Sequence, residues 1–558
     1  MFAKPPLVLA LLSCMVLVGC QKSGLPTAGR SSVDPQAPHL FDAMGDHHRP
    51  VTTASPMAQK WFDHGLIWAY AFNHGEAIRC FRAALKEDPN LAMAWWGIAL
   101  CNGPHINNPS MTAQNYADAW EAVGNARRLA AGASSVEKAL IEAIATRYAP
   151  SAPADRAPLD KAYAAAMAKV HETCRADADV AVLYAEAMMD LQPWDLWTKD
   201  GKPKGQAEKI VAVLEDAIRH NPNHPGALHL YIHAVEASQQ PGRAMAAADR
   251  LRNLVPAAGH LVHMPSHIDV RTGKWAEASD ANQRAIETDV KYRQIRPRSG
   301  FWNVYMLHNR HFLAYSAMME GRRDVAIKAA REMVASVPVD WAMENAAIAD
   351  AYMAIPYESL MRFGLWDQIL VEPAPPAYLP ITTALWHFTR GIAHAAKGDV
   401  KAANAEHAAF ALARAKLAPD AHMAINPAKN VLDLADHVLQ GEIAFREGKL
   451  DGAISHLNKA IALEDDLQYM EPPDWVHPGR HILGAFLVSA QRYSEAEKVY
   501  RQDLEKWPEN GWALYGLATA LGKQGKTAEA SAVEKRFKAA WARADTQLAS
   551  SCFCVAGE

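Results

Sequence analysis

Thirty-four residues separate His229 from His263, and the same interval separates His233 from His267. A pair of histidines one helical turn apart thus recurs at matching places of consecutive repeats. An interval of this length accommodates two short helices and the turns joining them. One such pair cannot bury its apolar face alone, so the chain is constrained to stack pairs into a solenoid. A small residue marks the register in Ala77, Ala244, Ala278, Ala326, Ala403, Ala453, Ala496 and Ala530. Twelve residues earlier stand Gly65, Ser266, Ala314, Gly391, Gly441, Gly484 and Ala518, with Ile232 departing. Twelve later stand Pro89, Pro256, Pro338 and Pro508 in half of the repeats. Small residues let two helices cross closely, and proline closes the second. The register predicts helix pairs at 58–91, 225–258, 259–292, 307–340, 384–417, 434–467, 477–510 and 511–544. Residues 92–224 read as helical but irregular, broken by a loop at Pro193-Trp194-Asp195-Leu196-Trp197, and 293–306 reads as an insertion.

Alanine is frequent and β-branched runs are scarce, which favours helix throughout. The formal net charge is −4 and no Lys/Arg block stands out, so there is no electrostatic footprint for nucleic acid. The first residues read as a targeting segment. Lys4 is a short positive region, and Leu7 to Val18 is an apolar stretch too short to span a bilayer. It ends in Leu17-Val18-Gly19-Cys20, followed by polar Gln21-Lys22-Ser23-Gly24. This resembles a bacterial lipobox, which implies a signal peptide at 1–19 and acylation of Cys20. Residues 20–45 read as a tether rich in Ser, Pro, Gly and His. No Asp follows Cys20, which in that pattern favours the outer membrane. Cys80, Cys101 and Cys174 read as small core residues; Cys552-Phe553-Cys554 could bind a soft metal or form a strained bridge, but the leading reading of 546–558 is a frayed tail.

Trp61-x2-His64-Gly65-x2-Trp68, then Ala77-x3-Phe81 and Pro89, follows the tetratricopeptide (TPR) pattern. More narrowly, the chain resembles a family of large bacterial TPR lipoproteins. The resemblance rests on Phe72-Asn73-His74-Gly75-Glu76-Ala77, Ile232-His233-Ala234-Val235-Glu236-Ala237-Ser238, His263-Met264-Pro265-Ser266-His267-Ile268 and Pro472-Pro473-Asp474-Trp475. It implies an all-α solenoid of antiparallel TPR-like helix pairs in a right-handed superhelix, and an envelope location. No activity comes with it. The expected organisation is TPR-like and irregular repeats over 46–224, a central His-rich region over 225–340 and C-terminal repeats over 341–545.

Fifteen residues before the register mark, four of eight repeats carry histidine: His229, His263, His311 and His481. His260 and His308 stand three residues before that place, and His233 and His267 four after it. Spacings of three, four and seven share one helical face. In TPR proteins this face lines the concave groove. His229, His233, His260, His263, His267, His308 and His311 are therefore candidate ligands for Zn, Cu, Ni or Fe, all suited to neutral imidazole. Glu236, one turn after His233, is a candidate ligand, orienting partner or general base, and Glu186 with Asp190 offers further carboxylates. Each histidine also has a plainer reading. A lone groove histidine serves as a polar contact or peptide-binding residue, and a row of them makes a pH-sensitive or anion-binding groove. His387, His394 and His64 read as structural, His74 and His105 as turn residues.

Gly522-Lys523-Gln524-Gly525-Lys526-Thr527 mimics the end of a phosphate loop, but Ala520 stands where the earlier glycine is needed. The sequence lacks His-Glu-x-x-His and Gly-x-Ser-x-Gly. The leading expectation is a lipid-anchored envelope protein that binds a protein, peptide or small molecule in its groove, with a His-rich metal site. The alternatives are a metal-dependent hydrolase or oxidoreductase, and a metal-free scaffold. Whether it is an enzyme stays open at this level.

Overall fold

The computed structural model describes residues 37–297 and 300–555. The signal segment 1–19, Cys20 and the tether up to residue 36 lie outside the described residues. The chain divides into two compact units, residues 1–265 with 284–306, and residues 266–283 with 307–558. The His-rich stretch 225–340 thus contributes to both.

Each unit is an all-α stack of antiparallel TPR-like helix pairs. In the first unit the pairs are Pro56–Tyr70 with His74–Glu87, Ala92–Asn102 with Ala113–Leu129, Ser135–Ala145 with Ala157–Thr173, Ala178–Met189 with Ala207–His220, and Pro225–Val235 with Met245–Leu251. The irregular stretch 92–224 is therefore three further pairs with longer loops. The second unit continues with Ile355–Arg362 and Trp366–Val371, Pro380–Ala396 and Val400–Arg414, Ala428–Arg446 and Leu450–Asp465, Gly479–Ser489 and Tyr493–Lys506, and Gly511–Lys523 and Thr527–Ala540. Helix pairs stand at all eight places that the alanine mark predicts. Among the described residues the only strands are His422–Met423 and Asn426–Pro427, a two-stranded hairpin. No described helix is long and apolar enough to cross a membrane.

Aromatic side chains from second helices set the crossings. A Cβ on Gly65 would sit 2.6 Å from the Phe81 ring, and one on Gly97, in the next first helix, 2.5 Å. Tyr500 repeats the arrangement: a Cβ on Gly484 would meet its ring at 2.4 Å and one on Gly516 at 2.1 Å. Each ring is wedged between two helix backbones that approach because glycine has no side chain.

The turn between the two helices of a pair needs a residue with positive φ. Gly273, Gly321, Gly398, Gly448 and Gly525 supply it in five repeats. In the first pair Phe72 adopts the same conformation at φ 60°, which is unfavourable for a residue with a Cβ.

The tail is a correction to the sequence expectation. Residues 546–555 are docked rather than frayed. Ser551 donates to the His481 carbonyl at 2.8 Å, Cys554 is buried, and the Phe553 ring stands edge-on to Trp512 at 5.8 Å. Cys552 and Cys554 are joined by a disulfide. The apolar target for this docking, Trp512, lies in the first helix of the last repeat, about forty residues earlier, so the tail's own composition does not reveal it.

Gly97→Ala and Gly516→Ala are each expected to destabilise the protein by ~1–3 kcal/mol through overpacking against Phe81 and Tyr500. Gly124→Ala, whose Cβ meets nothing within 4 Å inside the helix Ala113–Leu129, is expected to stabilise by ~0.5–1 kcal/mol. Urea unfolding of the three variants measures both signs.

Candidate metal centre

The helix Pro225–Val235 begins at His224, whose side chain accepts from the Ala227 N–H, with Pro225 in the first helical position. All its residues are buried. A helix apolar on every side is enclosed on every side, so its two histidines point into protein. His229 is 0 % exposed, His260 1 % and His233 6 %. The register had placed these rings on an open groove wall, and the structure corrects this: the centre is interior.

His229 Nδ1 lies 2.7 Å from the Tyr70 carbonyl oxygen. A carbonyl only accepts, so Nδ1 carries the proton and Nε2 carries the lone pair. His233 Nδ1 donates to Glu236 Oε1 at 2.8 Å, which leaves its Nε2 in the same state. His260 then brings its Nε2 to 3.1 Å from His229 Nε2. The ligating nitrogens of His229, His233 and His260 all lie within 4.8 Å of one another. Ring centroids are 4.9 Å apart for His229 with His233 and with His260, and 6.3 Å for His233 with His260. Two nitrogens bound at about 2.05 Å to one tetrahedral ion stand about 3.3 Å apart. The 3.1 Å separation suits either that arrangement or an N–H···N bond from His260 to His229.

Phe72 faces this group. Its ring centroid is 4.6 Å from that of His229, 5.9 Å from His260 and 6.3 Å from His233. On another side it stacks on His105 at 4.4 Å. His105 sits in a tight turn closed by backbone bonds to Asn108, and its buried ring is held well below the ordinary histidine range by desolvation and by neighbouring His74 and Arg147. Tyr305 stands 4.3 Å from His260 by ring centroids.

A small cavity shares Tyr70, Phe72 and Leu230 with this group and is also lined by His74, Arg147 and Glu186. Arg147 donates to Asp190 at 2.5 Å and to the Pro104 carbonyl at 2.7 Å, while its Nε meets no acceptor. Burial raises both nearby carboxyls despite Arg147, Glu186 to about 7. Burial likewise lowers His74 to about 4, so it is neutral at physiological pH. Glu186 and Asp190 thus face Arg147 beside the cavity.

A second cluster in the same unit, His47, Asp179 and His224, has metal-like spacing but a different assignment. His224 Nδ1 accepts from the Ala227 N–H, so its Nε2 carries the proton and donates to Asp179 at 3.1 Å. Asp179 also accepts from Tyr70 Oη at 2.6 Å and Arg49 at 3.0 Å. His224, and His47 bonded to Asp179 at 3.1 Å, hold its carboxyl well below the usual range against burial. The cluster ties the segment before the first helix to the fold.

The remaining predicted ligands are distributed as follows. His263 belongs to the first unit, its ring 5.8 Å from that of His260. The imidazole completing the pair His229 and His233 is therefore His260, not the repeat-matched His263. His267 and His308 belong to the second unit, with rings 5.8 Å apart and His267 Nδ1 3.0 Å from Glu471. His311 packs against Tyr352 at 5.6 Å. His481 pairs with Asp503 at 2.8 Å.

Sequence reasoning missed Phe72, Tyr305 and Arg147, and read His105 only as a turn residue. Phe72 carried a signal: it occupies the turn position that is glycine in five other repeats.

No protein-family model and no curated protein matches this sequence. Among solved structures, the human IFIT1 dimer with m7Gppp-AAAA aligns at a TM-score of 0.31 and 14 % identity, over 88 % of this chain and 91 % of that one. The APC/C hetero-tetramer Cut9-Hcn1 aligns at 0.32 and 12 % identity, over 88 % and 78 %. Likeness at this level says nothing about the site.

Burial lowers His311 from 6.5 to about 3. Its folded form is neutral while the unfolded chain protonates below pH 6.5, so stability is complete above that pH and falls as pH drops towards 3. His311→Gln is expected to flatten the acid decline by up to about 1.4 kcal/mol per pH unit, read from urea midpoints between pH 6.5 and 4. An unchanged slope contradicts the assignment.

Proposed function

We propose that this chain is a TPR lipoprotein of the bacterial cell envelope whose first unit holds a transition-metal ion on His229, His233 and His260. One observation carries the reading. Two Nδ1 atoms are committed, to the Tyr70 carbonyl and to Glu236, His229 Nε2 lies 3.1 Å from His260 Nε2, and the three residues bring ligand nitrogens within 4.8 Å of one another. Metal-binding histidines are oriented in this way by a carbonyl or carboxylate on the second nitrogen. Neutral imidazole accepts Zn, Cu, Ni or Fe, and the ligand set does not choose among them. Three imidazoles leave a coordination position for water or a ligand. Attachment through Cys20 and a protein, peptide or small-molecule partner on the repeats belong to the same proposal, supported by the lipobox-like sequence and by the TPR-like construction.

A second reading, a metal-dependent enzyme, is favoured by the neighbouring cavity. Glu186 exchanges a proton near neutral pH there, which suits general acid–base work. Hydrolysis of p-nitrophenyl acetate by metal-loaded protein, with a limb near pH 7 that Glu186→Gln removes, would support it. A metal-loaded protein inert in hydrolysis and oxidation assays would contradict it.

The mature protein, purified without chelator and offered each metal, is expected to retain about one tight equivalent per site at these three residues. His229→Ala and His260→Ala are each expected to weaken binding at least ~10-fold. His407→Ala, which removes an ion pair with Asp436 in the second unit, should leave it unchanged. No retained metal, or equal retention by all three variants, contradicts the centre. Cys20→Ser is expected to shift the protein from the membrane to the soluble fraction, and an unchanged distribution contradicts the anchor.

A further inference from the structure

Arg362, in the second unit, is a buried cation without a direct carboxylate. It ends the helix Ile355–Arg362 and is 7 % exposed. Its Nη2 donates to His481 Nδ1 at 3.1 Å and lies 3.8 Å from Met319 Sδ. The Trp512 ring covers one face of the guanidinium, with the central carbon 3.9 Å from the ring centroid. Its Nε–H meets no acceptor.

The nearest balancing charge is reached only through an intermediary. His481 Nδ1 accepts from Arg362, so its Nε2 carries the proton and donates to Asp503 at 2.8 Å. Asp503 also accepts from Asn510 at 2.9 Å. Desolvation outweighs this remote partner and lowers Arg362 to about 9. Arginine is seldom buried unless paired, and a guanidinium edge matches the two oxygens of a carboxylate or phosphate. A second donor lies close by. Tyr315 is 1 % exposed, its hydroxyl has no hydrogen-bond partner, and the charges acting on it are Glu471 first, then Arg362, Asp503 and Glu464. Burial holds it far above the ordinary tyrosine range, so it stays a donor.

We infer that the second unit binds a small oxyanion, a carboxylate or phosphate group, on Arg362 Nε–H with the Tyr315 hydroxyl as the neighbouring donor. The Trp512 face fixes the guanidinium plane, and the His481–Asp503 relay holds Nη2. The site is independent of the histidine centre of the first unit.

The full mature protein is titrated with inorganic phosphate and, separately, with acetate, by calorimetry and by tryptophan fluorescence. Saturable binding of one equivalent of at least one anion is expected. Phosphate alone would point to a phosphorylated ligand, acetate alone to a carboxylate. Arg362→Lys, which keeps the charge but loses the planar edge, should weaken binding at least ~10-fold, and Tyr315→Phe should weaken it less. Arg362→Met should abolish binding without lowering the anion-free melting temperature, because an under-compensated buried charge contributes little to the fold. Neither anion binding, or binding unchanged in Arg362→Lys, overturns the inference. Should Arg362→Met fail to fold, Arg362→Lys decides alone.

Discussion

A buried imidazole has two nitrogens to place, and each one left without a partner costs about 1–3 kcal/mol. In the first unit the first nitrogen is placed by the fold itself. The carbonyl of Tyr70, at the end of the helix Pro56–Tyr70, takes Nδ1–H of His229. Glu236, immediately after the helix Pro225–Val235, takes that of His233. Both tautomers are thereby fixed, and His229 Nε2 is turned towards His260 Nε2 at 3.1 Å. His260 and the Phe72 ring stand beside the two imidazoles that these hydrogen bonds orient.

The scaffold makes that alignment repeatable. Phe81 between Gly65 and Gly97, and Tyr500 between Gly484 and Gly516, lock successive first helices at short range. Helices held this closely carry side chains with little freedom to drift, which suits a preorganised ligand set. Phe72 shows the cost of the arrangement. It accepts a left-handed backbone, where other repeats use glycine, in a place where its ring packs on three histidines of the centre and on His105.

The repeat was legible because its signals are local: a small residue at each crossing, a proline after half of the second helices, and helical spacing within each element. That the histidines cluster was legible for the same reason. Which rings converge was not. The interval from His229 to His263 made them look equivalent, but His260, three residues earlier on the same helix, takes the third place. Burial was also hidden, since an interior helix differs from a groove helix only in what surrounds it. Arg147, Tyr305 and Phe72 come from other elements, and only the fold brings them together. The docked tail is a similar case: Phe553 is apolar in sequence, but its partner Trp512 is supplied by the helix Gly511–Lys523 of the last repeat.

The account stands most directly on the coordination shell. X-ray absorption on protein loaded with one equivalent of metal should show nitrogen scatterers at about 2.0–2.1 Å with the outer-shell pattern of three imidazoles. That pattern should fall to two in His260→Ala. A sulfur scatterer at about 2.3 Å, implicating Cys80 or Cys101 in place of the histidines, or a shell without imidazole, would contradict it.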